Sequence, residues 1–278
     1  MKMKTLKKQN CILFCLMLAV CFIWMIPFLL AVLNSFKTNG EMATNVLAFP
    51  SAWSLQNYAE TWKEMNFPTL YRNNIIYTVF GVVGIVFWGS MAGYKLCRNN
   101  RWYSKVLFYV FIIPMMIPFQ AIMITFTKLA GSMGLTGSVW GVILCQWGFG
   151  IPMATFLYRG YTTTVPREIE ECASLDGAGP FRIFFSIVFP LLKPITATVI
   201  ITNALGIWND FMIVLLLLGA SKDYMNIPMA IYNNFSSNFA NWSRALPGMM
   251  FAVIPAIIAF VFLQKYIVQG VTAGSVKG

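Results

Sequence analysis

Long apolar runs separated by short polar stretches set the rhythm of this chain. Six of them approach the roughly 20 mainly apolar residues that a helix needs to cross hydrocarbon: residues 11–33, 74–94, 106–126, 139–157, 194–218 and 246–266. The pattern predicts an all-α integral membrane protein, with residues 1–278 forming one six-span domain. Lys2, Lys4, Lys7 and Lys8 precede the first run. That run exceeds a signal-peptide core and lacks a small-x-small cleavage site, so an uncleaved first span is expected. Pro114 and Pro118 in "IPMMIPFQ" predict a kinked or loosened third span, since proline interrupts the helical ladder. The kink reads either as an elbow that helps a pore alternate or as irregular packing.

Between the fourth and fifth runs the pattern changes. Residues 164–190 form an insert with helical spacing and an acidic face. Thr164 can cap a helix, Pro166 suits its first turn, and Glu168 and Glu170 sit near the positive end of its dipole. Ile169, Cys172 and Ala173 supply a small apolar stripe. Asp176-Gly177-Ala178-Gly179-Pro180 must then end the helix, because glycine allows a left-handed cap and proline cannot continue the coil. A second, more apolar helix over 181–189 should lie against the ends of the bundle. This helix–turn–helix is either a docking surface or an ordinary interfacial loop.

Composition agrees with a membrane location. The 278 residues are 58% hydrophobic and 10% charged, with 24 Phe, 17 Met, 9 Trp and no His, far too little charge to cover a soluble domain. The net charge of +11 belongs to span flanks rather than to a nucleic-acid surface, so no nucleic-acid partner is expected. With the N-terminus inside, fourteen of the 20 basic residues fall on the cytoplasmic side, four of them in the short loop 95–105. The positive-inside rule therefore predicts a multi-pass protein of the cell membrane with both termini and the 164–190 insert in the cytoplasm. The six cysteines form no Cys-x-x-Cys pair and have no His partner, so they read as small apolar filler and no metal is expected.

Missing chemistry narrows function further. No phosphate-binding Gly-x4-Gly-Lys-Ser/Thr loop, no Gly-x-Ser-x-Gly elbow and no histidine base occur, so neither catalysis nor a cofactor is expected. Asp210 lies inside the fifth run, where a carboxylate costs roughly 2.5–3.5 kcal/mol and usually faces the bundle interior or water. Asn203 and Asn209 extend a polar stripe that could line a pore or substrate path, while a structural hydrogen bond explains Asp210 equally well.

The insert resembles the EAA motif of ABC-importer permeases: Glu171-Cys172-Ala173, three residues, Gly177, then Ile187-Val188-Phe189-Pro190. Cys172 replaces the usual first alanine, one small residue for another. "NSFKTNGE" after the first span, "GLTGSVWGVIL" opening the fourth, "WNDF" in the fifth and the tail "GVTAGSVKG" are similar to carbohydrate-uptake permeases of the maltose type. The resemblance implies a type I importer permease fold, a second and different permease subunit, an ATPase dimer beneath, an external solute-binding protein and a sugar as cargo. It implies that Glu168, Glu170, Glu171, Ala173, Asp176, Gly177 and Ala178 couple to the ATPase. It also implies a second contact through the tail at Gly270, Thr272 and Gly274. A permease for a non-sugar solute is the alternative, and an ATP-independent channel or carrier a more distant one.

Overall fold

The computed structural model describes residues 2–275 except 220, 222 and 236–240, with side chains described between residues 13 and 262. Thirteen helices follow one another among these residues: α1 Lys2–Asn34, α2 Asn39–Thr44, α3 Gln56–Glu64, α4 Phe67–Arg98, α5 Trp102–Ile112, α6 Phe119–Ser132, α7 Val139–Thr162, α8 Glu168–Leu175, α9 Pro180–Leu191, α10 Lys193–Trp208, α11 Met212–Leu218, α12 Ile227–Phe235 and α13 Trp242–Ser275. No strand is present among the described residues. Leu13–Asn34, Phe67–Arg98, Val139–Thr162 and Trp242–Phe262 are long and apolar enough to cross a membrane unbroken.

The remaining two expected spans are not straight helices. The segment expected over 106–126 is split: α5 and its 3-10 extension to Met116 meet α6 at 108°. Ile117 is extended, at φ −90° and ψ 120°, because the Pro118 ring disfavours helical backbone in the residue before it. The fifth run, expected as 194–218, is interrupted between Trp208 and Met212. At 79° to α10, the α9 helix lies across it rather than extending it.

By contacts the chain divides into two compact units. One comprises the chain up to Phe67 together with Ala230–Ile254. Its α1 exposes apolar side chains from Leu13 to Val32, a face suited to lipid or to another chain, since hydrocarbon imposes no penalty on it. The "NSFKTNGE" stretch then ties a polar knot. Asn34 donates to the Val46 carbonyl at 3.0 Å, buried Lys37 donates to the Asn45 and Val46 carbonyls at 3.1 and 3.2 Å, and Asn57 donates to the Ser35 and Lys37 carbonyls at 3.0 and 2.8 Å. Thr38 and Glu41 form a reciprocal capping box at the start of α2. Glu41 also accepts from the Ser51 hydroxyl and from the Ser51 amide. Arg244 bridges Glu60 and Glu64 on α3, at 2.5 and 2.8 Å.

The other unit comprises Pro68–Met229 and the chain from Pro255 onward. Here α4 and α7 approach closely because glycines leave room: a Cβ on Gly89 or Gly93 would stand 2.6 Å from the Cβ of Ala154 or Tyr158. Small residues at such faces let helix backbones gain van der Waals contact where no hydrophobic drive exists. Tyr77, Ile85, Ile143, Tyr158, Val188 and Val199 fill the interior, and the Tyr158 hydroxyl donates to Thr196 Oγ1 at 3.0 Å.

The break after Trp208 frees backbone carbonyls, and asparagines satisfy them. Asn74 Nδ2 donates to the Trp208 carbonyl at 2.9 Å, while its Oδ1 accepts from the Ile227 amide at 2.8 Å. Asn226 donates to the Asp210 carbonyl. Asn73 donates to the Asp223 and Met225 carbonyls, each at 2.9 Å, and the Tyr77 hydroxyl to that of Tyr224 at 2.8 Å. One end of α4 thus holds Asp223, Tyr224, Met225 and the start of α12.

Replacing Asn74 by Ala strands one acceptor and one donor, and should destabilise the protein by about 1–3 kcal/mol, read as a lower melting temperature of the detergent-solubilised chain. Glu41 offers a pH test. Hydrogen bonds from the Ser51 side chain, the Thr38 amide and the Ser51 amide lower its carboxyl from 4.5 to about 2. A depressed folded value means that its contribution is complete above the unfolded value and fades as pH falls towards 2. Limited proteolysis of the 38–51 segment should therefore accelerate as pH falls from 4.5 towards 2 in the wild type, and depend less on pH in Glu41→Gln.

Candidate functional site

The insert is a helix–turn–helix whose inner face is fastened to the bundle. Its first helix starts at Glu168, later than the expected cap: the Thr164 hydroxyl donates to the Tyr161 carbonyl at 2.8 Å, closing the end of α7 instead. Three glutamates occupy the first turn, where the helix dipole favours negative charge. The helix ends as the glycine pattern requires. Gly177 takes φ +83°, and the Gly177 and Ala178 amides donate to the Ser174 and Ala173 carbonyls, both at 3.0 Å. This is a Schellman closure, with glycine in the left-handed position. The second helix runs with π spacing over Ile183–Val188 just ahead of Pro190, whose missing N–H interrupts the ladder. Ile183, Phe184 and Val188 are buried.

Glu170 and Ala173 face inward. Arg98 Nη2 lies 2.6 Å from Glu170 Oε1, and the Tyr94 hydroxyl donates to Oε2 at 2.7 Å. Arg98 also donates to the Val165 carbonyl at 2.8 Å, and Arg167 returns a bond to the Arg98 carbonyl at 3.3 Å. One guanidinium therefore joins the end of α4 to the insert and to the loop before it. Glu168, Glu171, Asp176 and Gly177 lie on the exposed side, with Ala178 half-buried. The sequence reading missed Leu175 and Phe181, which are 88% and 71% exposed. They add two apolar knobs to the acidic outer face, and their only signal was an apolar residue on either side of the Asp-Gly-Ala-Gly-Pro turn. Arg98 and Tyr94 were missed because their partner lies 72 and 76 positions away.

A second feature is a cavity of about 250 Å³ between α7, α10 and the start of α11, lined by Ile85, Gln146, Phe149, Gly150, Thr202, Asn203, Gly206, Ile207, Asp210 and Ile213. Asn203 and Asp210 both line it, while Asn209 is exposed and donates to the Leu205 carbonyl at 2.8 Å. Asp210 Oδ1 accepts from the Ile213 amide at 3.2 Å, whereas Oδ2 has no hydrogen-bond partner. Gln146, buried at 4% exposure, also leaves both amide atoms without one. Its dipole acts on the Asp210 carboxylate, but no hydrogen bond of normal geometry joins the two. A larger cavity of about 490 Å³ in the first unit is walled mainly by apolar side chains such as Leu30, Met42, Trp242 and Leu246, with Asn34 and Asn39 as its polar lining. Gly270, Thr272 and Gly274 fall where only the helical backbone of α13 is described, and residues 276–278 lie outside the described residues.

Comparison with known proteins identifies the class. Residues 85–273 match the family of binding-protein-dependent transport system inner membrane components, a stretch that contains both the insert and the cavity. The chain belongs to this family. It is 32% identical over 276 residues to the "Probable starch degradation products transport system permease protein" of Thermoanaerobacterium thermosulfurigenes, covering 99% of this chain and 100% of that one. It is 33% identical over 254 residues to the melibiose/raffinose/stachyose import permease protein of Bacillus subtilis (strain 168), covering 91% of each. Among solved structures, a bacterial ABC transporter involved in the import of the acidic polysaccharide alginate shares the fold, with a TM-score of 0.74 and 22% identity over 92% of this chain and 95% of that one. The chain is accordingly a membrane permease subunit and not an enzyme.

Arg98→Ala removes the cation opposite a mostly buried carboxylate and should cost about 3 kcal/mol. Hydrogen exchange of the 168–175 amides should rise in that variant, and rise less in the double variant Arg98→Ala/Glu170→Gln, which leaves no uncompensated charge.

Proposed function

We propose that this chain is a pore-forming permease subunit of an ATP-driven, binding-protein-dependent importer that takes up a carbohydrate, specifically an oligosaccharide. The observation that carries this reading is the insert: an acidic, exposed helix closed by a left-handed glycine and clamped through Glu170 to a helix long enough to span the membrane. The names of the relatives support a sugar as cargo.

In this reading the insert sits on the cytoplasmic side with both termini, and α8 docks in a cleft on an ATPase. Glu171, Glu168, Asp176 and the knobs Leu175 and Phe181 form the contact. Gly177 shapes the turn, while Glu170, Ala173 and Ala178 hold the inner side. ATP is hydrolysed by the partner. Its closure pushes on α8, and the thrust leaves along two routes: through Arg98 into α4, and through α9 into α10. A rigid helix–turn–helix transmits such a push because neither route contains a slack loop. The spans then rock between outward- and inward-open states. The cargo, handed over by an external binding protein, passes between this chain and a second, different permease, with Asn203 and Asp210 facing the path and the tail at Gly270, Thr272 and Gly274 steadying the ATPase.

Complete transporter reconstituted with Glu171→Ala should lose ATP-driven sugar uptake while reaching the membrane in normal amount. Gly177→Val should do the same: a Cβ there meets nothing within 4 Å, so the expected cost of about 1–2 kcal/mol is conformational. Unaltered uptake by Glu171→Ala, or purification of the assembled chain without any ATPase, would remove the basis for the proposal.

A further inference from the structure

Between Glu64 and Glu168 the chain contains no carboxylate, although lysines and arginines recur throughout that stretch. Lys95, Arg98, Arg101 and Lys105 crowd the elbow where α4 ends at Arg98 and α5 begins at Trp102. The elbow is folded on itself. The Asn99 amide donates to the Lys95 carbonyl at 3.1 Å, the Arg101 amide to Asn99 Oδ1 at 3.2 Å, and the Ser104 hydroxyl to the Leu96 carbonyl at 3.3 Å. Arg98 is committed to Glu170. Lys95, Arg101 and Lys105 are exposed and carry no ion pair among the described residues. At 1.5 Å per residue the 32 residues of α4 reach about 48 Å, slightly more than the roughly 40–45 Å of a bilayer with its headgroups. A spanning α4 therefore puts its last turn at headgroup level.

We propose that this elbow binds an acidic phospholipid, with Lys95, Arg101 and Lys105 around the headgroup phosphate and the acyl chains along α5. Charge and continuity both point there. Each lysine or arginine near a bilayer surface favours anionic lipid by about fivefold, and three such residues act here on one headgroup region. Directly beyond them Trp102, Val106, Tyr109 and Ile113 recur at helical spacing, and all four are exposed. The other side of α5 faces the protein: Ser104 is buried and Phe108 stacks on Phe156 of α7. Trp102, at 76% exposure, heads the outer stripe, where tryptophan anchors a helix at the boundary between headgroups and hydrocarbon. A soluble acidic partner would engage the cations and leave the apolar stripe bare, whereas one phospholipid covers both. The inference rests on the membrane class of the chain and not on its cargo or its ATPase.

The test uses the assembled permease–ATPase complex in phosphatidylcholine vesicles with a trace of photoactivatable lipid, its reactive group in the acyl chain. The probes are phosphatidylglycerol and phosphatidylcholine. Phosphatidylglycerol should label the 102–113 peptide about tenfold more than phosphatidylcholine, within the product of three such charges. In Lys95→Gln/Arg101→Gln/Lys105→Gln that preference should fall to near parity, while Lys95→Arg/Lys105→Arg should keep it. Salt at roughly 1 M, where screening acts within about 3 Å, should erode the preference in the unaltered complex, a readout that needs no variant to assemble. Equal labelling by the two lipids in the unaltered complex, or a preference that survives the triple substitution, would overturn the site. Labelling that appears only once the ATPase is stripped away would assign the cations to that subunit and overturn the lipid as their occupant. Sugar uptake plays no part in the readout, so a failed importer reading leaves this result standing.

Discussion

Hydrocarbon offers no water to a backbone carbonyl that loses its helical partner. Every interruption of a span must therefore be closed from within the protein. The fold around the fifth apolar run follows from that constraint. Its helix stops at Trp208 and resumes at Met212, and the exposed carbonyls are met by Asn74 and Asn226. Asn74 on α4 and Asn226 just ahead of α12 serve as a substitute for water. These bonds fix the backbone on both sides of Asp210, which lines one cavity with Gln146 and Asn203.

The opposite end of α4 solves a different problem. The insert is held where it joins the bundle and open on its outer face. Arg98 supplies the stiffness by gathering Glu170 and the Val165 carbonyl, with Tyr94 holding the second carboxylate oxygen. Glu168, Glu171 and Asp176 remain exposed. The motif's run of acidic residues is thus divided between two tasks by helical geometry alone: Glu170 and Glu171 are neighbours in sequence but lie about 100° apart around the axis at 3.6 residues per turn. From Asn74 to Arg98 the helix rises about 36 Å at 1.5 Å per residue. The same rod therefore carries the asparagine clamp near one end and the arginine clamp at the other, and whatever moves the insert acts on a helix whose far end is already pinned.

Much of this architecture was legible in the residues. Apolar run length anticipated the four unbroken helices long and apolar enough to cross a membrane, because a bilayer's thickness translates directly into a residue count. The Asp-Gly-Ala-Gly-Pro turn ended its helix where expected, because backbone limits on glycine and proline are local. Thr164 shows the weakness of the same method: a good capping residue is not a cap if the preceding helix claims its hydroxyl. Asn209, next to Asp210, makes a local bond instead, donating to the Leu205 carbonyl.

By itself the sequence determined the class of structure, the number of apolar runs, the helical insert and its hinge. These depend on interactions within a few residues or on the match between segment and bilayer. Tertiary structure decided which glutamate is tied down, why two runs are not straight spans, and that Gln146 shares a cavity with Asp210. Those outcomes rest on pairs separated by tens of residues, such as Arg98 with Glu170 and Asn74 with Trp208. Their meeting depends on how closely α4 and α7 pack, a distance that no local pattern encodes.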